Sequence, residues 1–166
     1  MDFEQFYNTY FNRVFAYIRS RSSSAQHAEE AASIVWQKVY KNFDSYDSAK
    51  GLPEQWLFTT ARNTLNSLFR YYKIRSFISL EFLEEMFSSG EKDTLSKMQG
   101  DEDCALLFKA LAQLSKQEKD LVALKYYSGL NNREIAKMTG LGESNVGTIL
   151  NRCTGKLREL LEDSYE

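Results

Sequence analysis

Apolar residues recur at intervals of three and four positions along most of this 166-residue chain. Such spacing places them on one face of an α-helix, whereas a half-buried strand needs alternation at every second residue. No segment shows sustained two-residue alternation with enrichment in β-branched residues. The pattern therefore predicts an all-α protein without a sheet.

The first half of the chain contains three such stripes. They predict helices over about 2–20, 25–43 and 53–73. Pro53 is the only proline in the chain, and its fixed φ suits the first position of the third helix. The polar stretch before it, 44–53, predicts a loop.

The second half predicts four further helices. One begins at about 103, the next ends near Gly129, a third covers about 131–140 and the last covers about 143–162. Two pairs, Ser115 with Glu118 and Asn131 with Glu134, match the capping-box spacing at a helix start. Gly140 fits a left-handed cap at a helix end. Two short helices around a glycine turn predict a helix-turn-helix.

Charge and periodicity change together between the two halves. Residues 76–100 hold two Lys or Arg against five Asp or Glu, are rich in Ser and lack a sustained stripe. We therefore predict two small helical domains, 1–75 and 103–166, joined by a flexible acidic linker at 76–102. The first domain is basic, with ten cationic against seven acidic side chains, although the whole chain carries a formal charge of −2.

Residues for catalysis are scarce. The chain has one histidine, its eight glycines are scattered, and its two cysteines, Cys104 and Cys153, are far apart. General-base chemistry, phosphate-binding loops and zinc sites need denser constellations than this. We therefore expect a protein that is not an enzyme, with no metal and no cofactor. Two reduced thiols, no signal pattern and no apolar run of about 20 residues predict a cytoplasmic protein without a membrane span.

The helix-turn-helix supplies the first candidate site for nucleic acid. The second helix of such a unit enters the major groove with its N-terminal residues at the bases. Polar side chains at the exposed positions of that helix are Ser144, Asn145, Thr148 and Arg152. An Asn can pair with adenine through two hydrogen bonds. An ordinary helical hairpin with no DNA role is the alternative for this segment alone.

The second candidate site lies at 55–75. Cations occur there beside aromatic residues, and Arg62, Asn66, Phe69 and Lys73 fall on one helical face opposite the apolar stripe. Such a face can hold a phosphate backbone and stack unpaired bases. Alternatively, the aromatic residues belong to the core and the cations only solubilise the helix.

Both candidate sites occur in stretches that resemble the extracytoplasmic-function sigma factors of bacterial RNA polymerase. Trp56, Leu57 and Phe58, followed by Ala61, Arg62 and Asn63, are similar to that family's first-domain pattern. The stretch 130–157 resembles its second domain, with Glu134, Ile135 and Ala136 before the glycine turn. The resemblance covers nearly the whole chain.

This resemblance implies residue roles and partners. Core RNA polymerase would be bound by the second helix, through Glu29, Glu30, Ser33, Gln37 and Lys38. Promoter DNA at the minus-ten element would be bound and melted by the loop 44–53 and by Arg62, Asn63, Asn66, Arg70 and Lys73. The minus-thirty-five element would be bound by Ser144, Asn145, Thr148 and Arg152. An anti-sigma factor would be a further partner.

The sequence departs from the family at the recognition helix. Gly147 and Ile149 stand where the family usually has Lys or Arg, and each lost phosphate contact weakens DNA binding. Two alternative functions follow from the same residues. One is a free-standing helix-turn-helix transcription regulator, and the other is a sigma-derived module that binds proteins and reads no promoter.

Overall fold

A computed structural model describes residues 2–47, 49, 51–78 and 102–162, and their side chains except those of 73–78, 102–105 and 108. These residues form helices and connecting turns without a strand, so the predicted all-α class is confirmed. Most of the predicted linker, 79–101, lies outside the described residues.

The first half forms a three-helix unit. Its helices are α1 (Phe3–Arg21), α2 (Ala25–Asn42) and α3 (Pro53–Ile78), with a short 3₁₀ turn at Phe43–Ser45. Asp2 caps α1 by accepting a hydrogen bond from the Gln5 amide at 2.8 Å. Helix α3 begins at Pro53 as predicted, but it continues beyond residue 73 to Ile78.

The second half contains α4 (Glu102–Ala112), α5 (Lys116–Ala123), a π-helical turn at Leu124–Ser128, α6 (Asn132–Thr139) and α7 (Glu143–Glu162). Both predicted capping boxes form, at Ser115 and Asn131. Gly140 ends α6 in the left-handed conformation, with φ of 76°, and its amide donates to the Ala136 carbonyl at 2.9 Å. The helix-turn-helix is therefore present.

The apolar stripes face one another inside each unit. Leu57, Ala61 and Leu65 of α3 are fully or almost fully buried, as predicted. Leu68 and Tyr72 on the same stripe stay half-buried. The Tyr72 hydroxyl donates to Glu30 of α2 at 2.8 Å. In the second unit the buried apolar side chains include Leu121, Leu124, Ile135, Val146 and Ile149.

The two units also contact each other directly. Helix α1 lies against α5 and the π-helical turn, and α3 lies against α6. The predicted separation into two domains did not include this contact. It covers part of the α3 face that the sequence places opposite the buried stripe.

Gly140 and Gly155 give a matched test of the helix-turn-helix geometry. A Cβ added at either position meets no atom within 4 Å, so only the backbone conformation distinguishes them. Gly140→Ala should lower the free energy of unfolding by about 1–2 kcal/mol, because an L-residue is strained in the left-handed region. Gly155→Ala, within exposed α7, should raise it by roughly 0.5–1 kcal/mol. Urea unfolding midpoints measure both, and equal effects would contradict the assigned turn.

Candidate nucleic-acid interface

The N-terminal part of α7 presents a polar surface to solvent. Val146 and Ile149 point into the core, and this orientation leaves Ser144, Asn145 and Thr148 exposed on the outer side. The Thr148 hydroxyl donates to the Ser144 carbonyl at 3.0 Å and so fixes its own rotamer. The Asn145 amide can therefore contact a base edge without any rearrangement of the unit.

Arg152, the cation predicted to act with these residues, has a partner in the second unit. Its Nη2 lies 3.1 Å from Oε1 of Glu118, and its side chain is 66% exposed. Glu118 also closes the capping box of α5 by accepting from the Ser115 amide at 2.8 Å. Hydrogen bonds from Ser115, more than the charge of Arg152, lower the pKa of this carboxyl below its ordinary range.

The predicted binding face of α3 is partly covered by the second unit. Arg62 is half-buried: its Nε donates to Oδ2 of Asp120 at 2.8 Å, and its Nη1 donates to the Met138 carbonyl at 3.3 Å. Asn63 and Arg70 remain exposed. Lys73 lies on α3, but its side chain is outside the described set. Arg62 thus lies on the predicted face but contacts the second unit instead of open solvent.

Asn66 and Phe69 are half-buried at the same contact. The side-chain oxygen Oδ1 of Asn66 accepts from Arg21 Nη2 at 3.1 Å. The Phe69 ring lies between two cations, with its centroid 5.6 Å from Arg21 Cζ and 5.2 Å from Lys116 Nζ. An aromatic ring near cations matches the surface that stacks unpaired bases, but Lys116 of the second unit occupies part of it here.

Asp120 is the centre of this contact and was missed by the sequence reasoning. It is 6% exposed; its Oδ1 accepts a hydrogen bond from the Tyr17 hydroxyl at 3.1 Å and forms an ion pair with Arg21 Nη1, also at 3.1 Å. Tyr17 is fully buried, and burial raises the pKa of its phenol. Tyr17 and Asp120 are separated by 103 residues in the sequence, so no local pattern could have identified the cluster.

Arg13 forms a second polar link between the units. Its Nε donates to the Tyr127 carbonyl at 3.0 Å and its Nη2 donates to the Ser128 carbonyl at 2.6 Å. Carbonyls at a helix end lack intrahelical donors and are open to such a bond. Gly129, with φ of 71°, follows directly, and a Cβ there would lie 3.1 Å from the arginine. Glycine thus allows both the turn and the approach.

The residues predicted to bind polymerase share one exposed side of α2. They are Glu29, Glu30, Ser33, Gln37 and Lys38. A cleft of about 500 Å³ adjoins them and is lined mainly by aromatic rings of α1 and by Trp36. Trp36 Nε1 is buried and has no hydrogen-bond partner in the part of the chain that the structure describes. A polar side beside an aromatic cleft suits a protein partner better than a substrate.

The loop before α3 borders a cavity of about 450 Å³. Tyr46 and Trp56 line it with rings 5.3 Å apart, and the Tyr46 hydroxyl donates to the Gly51 carbonyl at 3.0 Å. Asp47, Gln55 and Thr60 add polar groups to the rim. An aromatic wall with nearby polar groups can receive an unstacked base.

None of the described helices is long and apolar enough to cross a membrane.

Comparisons with known proteins agree with these two units. The family model for Sigma-70 region 2 matches residues 6–73, and the model for Sigma-70 region 4 matches residues 105–153. Together they account for well over half of the chain. The ECF RNA polymerase sigma factor SigM of Bacillus subtilis is 24% identical over 160 residues, covering 96% of this chain and 95% of that protein.

Two solved structures share the fold. The sigma factor RpoE from Bartonella quintana, in complex with the anti-sigma factor NepR, superposes with a TM-score of 0.74 at 24% identity, covering 97% of both chains. CnrH, in complex with the cytosolic domain of CnrY, gives a TM-score of 0.67 at 17% identity over 97% of this chain and 88% of that one. An all-helical fold with both sigma regions in this order defines a class: the chain belongs to the sigma-70 family, as a sigma factor of the extracytoplasmic-function type.

The lowered pKa of Glu118, the carboxylate that pairs with Arg152, can be tested by measuring stability against pH. Its lowered pKa means that its contribution to stability is complete above the ordinary value of 4.5 and is lost as the pH falls through the folded value. Glu118→Gln keeps an acceptor for the Ser115 amide but cannot titrate. Below pH 4.5 the wild-type chain should therefore lose stability more steeply than the variant, measured as urea midpoints across a pH series. The exposed Glu159→Gln control should follow the wild type, and parallel curves for Glu118→Gln would refute the assignment.

Proposed function

We propose that this chain binds core RNA polymerase, directs it to specific promoters and starts transcription there. The observation that carries the proposal is the order of the two matched regions, each on a helical unit with its own exposed polar surface. The surface of α2 binds polymerase through Glu29, Glu30, Ser33, Gln37 and Lys38. The domain limits 1–75 and 103–166 belong to the same proposal.

Promoter contacts are divided between the two units. The start of α7 reads the minus-thirty-five element through Ser144, Asn145 and Thr148, with Arg152 at a phosphate. The cations and amides of α3 bind the minus-ten region: Arg62, Asn63, Asn66, Arg70 and Lys73. The contact between Arg62 and Asp120 requires the two units to part before Arg62 can reach DNA.

Strand opening follows from binding energy alone in this proposal. Extruding a base costs a few kcal/mol, and capture of that base in a pocket offsets the cost. The cavity beside Tyr46 and Trp56 supplies the pocket, while the α3 cations hold the backbone. No chemical step and no cofactor is needed, so the chain acts as a binding protein in the cytoplasm. Because the similar sigma factor RpoE was solved in complex with the anti-sigma factor NepR, we include an anti-sigma factor among its partners.

The decisive experiment compares promoter binding with and without polymerase. Alone, the chain should bind duplex weakly, because a formal charge of −2 releases few counterions on binding. Added core polymerase should produce tight, promoter-selective binding, measured by mobility shift against a scrambled duplex. Tight selective binding by the chain alone would indicate a free-standing regulator. Polymerase binding without promoter selection would indicate a protein-interaction module.

Asn145 tests whether α7 reads bases. Asn145→Ala should change the preference at one or two upstream base pairs by roughly 1–3 kcal/mol, while polymerase binding stays intact. Asn151→Ala is the matched control, because Asn151 is also an exposed asparagine of α7 but lies on another side of the helix. Competition among randomised upstream sequences measures the preference. An unchanged preference would show that this helix does not read sequence through Asn145.

A further inference from the structure

The side chains that surround the Asp120 carboxylate as donors or cations belong to the first unit. Tyr17 and Arg21 lie on α1, Arg62 lies on α3, and only the carboxylate comes from the second unit. Arg21 is also held independently of Asp120, since its Nη1 donates to the Tyr17 hydroxyl oxygen at 2.6 Å and its Nη2 donates to Asn66. The first unit therefore presents a preformed set of donors for an anion.

The charge in this cluster is unbalanced in favour of cations. Two guanidinium groups, from Arg21 and Arg62, and one phenol surround a single carboxylate. The Arg21 side chain is 2% exposed and that of Arg62 is 20% exposed, so water screens the cluster only weakly. Both carboxylate oxygens are used: Oδ1 by Tyr17 and Arg21, and Oδ2 by Arg62.

A phosphodiester has the same recognition chemistry. It carries one negative charge and two non-bridging oxygens, and guanidinium groups bind such oxygens well. The cluster is continuous with the α3 face assigned to promoter DNA, because Arg62 and Asn66 belong to both. Phe69, the ring available for base stacking, lies beside Arg21.

The buried polar groups at this contact favour reversible separation of the two units over a permanent association. Buried ion pairs stabilise a contact less than apolar side chains of similar size, because each charge must lose its water. Asp120, Arg13 and Arg62 form the polar part of this contact, beside apolar side chains of both units that belong to one buried cluster. Once the two units separate, the donors of the first unit need another anion.

We propose that Tyr17, Arg21 and Arg62 form a binding site for a phosphodiester of the promoter strand, and that Asp120 occupies this site as an internal competitor while the units are closed. The inference rests on the proposed function and adds Tyr17 and Arg21 to the DNA-binding residues. Binding of DNA and contact between the units then exclude each other. Free chain binds single strands weakly because its site is filled.

The test uses the full-length free chain and a short labelled single-stranded DNA, with binding measured by fluorescence anisotropy. Asp120→Asn should tighten binding by about fivefold or more, because it removes the competitor and raises the fraction of open chain. Small-angle scattering should show a larger radius of gyration for this variant. Glu159→Gln removes the same charge from an exposed site of the second unit and should bind like the wild type. Equal gains in the two variants would overturn the proposal, since net charge alone would then explain them.

The cation side of the site is tested separately, so that the proposal does not depend on the folding of the Asp120 variant. Arg21→Gln should weaken binding in holoenzyme and make its salt dependence shallower by about 0.7 in the log–log slope for one lost phosphate contact. Arg19→Gln, in the same last turn of α1, loses an equal charge outside the cluster and should keep the wild-type slope. Equal slopes in the two variants would overturn the proposal.

Two further arms separate the possible sources of failure. Inorganic phosphate, added at constant ionic strength, should not displace the DNA, and displacement would assign the site to the free ion instead. Wild-type holoenzyme is assayed in parallel for promoter-selective initiation. If it initiates normally while the Asp120 and Arg21 variants behave like their controls, only this inference fails. If wild type does not initiate, the proposed function itself fails.

Discussion

The carboxylate of Asp120 is the central polar group of the contact between the two helical units. It accepts hydrogen bonds from Tyr17 and Arg62 and forms an ion pair with Arg21, and it is almost completely buried. A charge in such a place is stable only while its partners surround it. In the proposed function, the closed arrangement depends on cations that the first unit otherwise offers to DNA, so the same residues take part in domain contact and in promoter binding.

This arrangement gives the exposed and the covered surfaces different roles. The side of α2 that carries Glu29 and Gln37 and the start of α7 with Asn145 are open in the closed chain. Arg62 is not, and Phe69 is partly covered by Lys116. In the proposed function, the chain can therefore bind polymerase first. The α3 face becomes available for DNA only when the two units separate. Binding steps then occur in an order that the fold itself imposes.

Much of the local structure could be predicted because its causes are local. The stripes of α1, α2 and α3, the capping boxes at Ser115 and Asn131, and the left-handed end at Gly140 depend on residues within about one helical turn. The extension of α3 to Ile78 was missed because the predicted helix was ended with its apolar stripe, at Tyr72. Residues 74–78 contain neither glycine nor proline to stop the helix.

The sequence by itself determined an all-helical chain, the positions of its helices and caps, and the residue types available for DNA and polymerase, because spacing and capping act over a few residues. Only the tertiary structure decided which of those residues are free. The pair between Arg62 and Asp120 spans 58 residues, and the bond from Tyr17 spans 103. Periodicity along the chain shows which side chains face a core, but it contains no information about which charges from distant helices meet. That choice depends on the packing of α1 and α3 against the second unit.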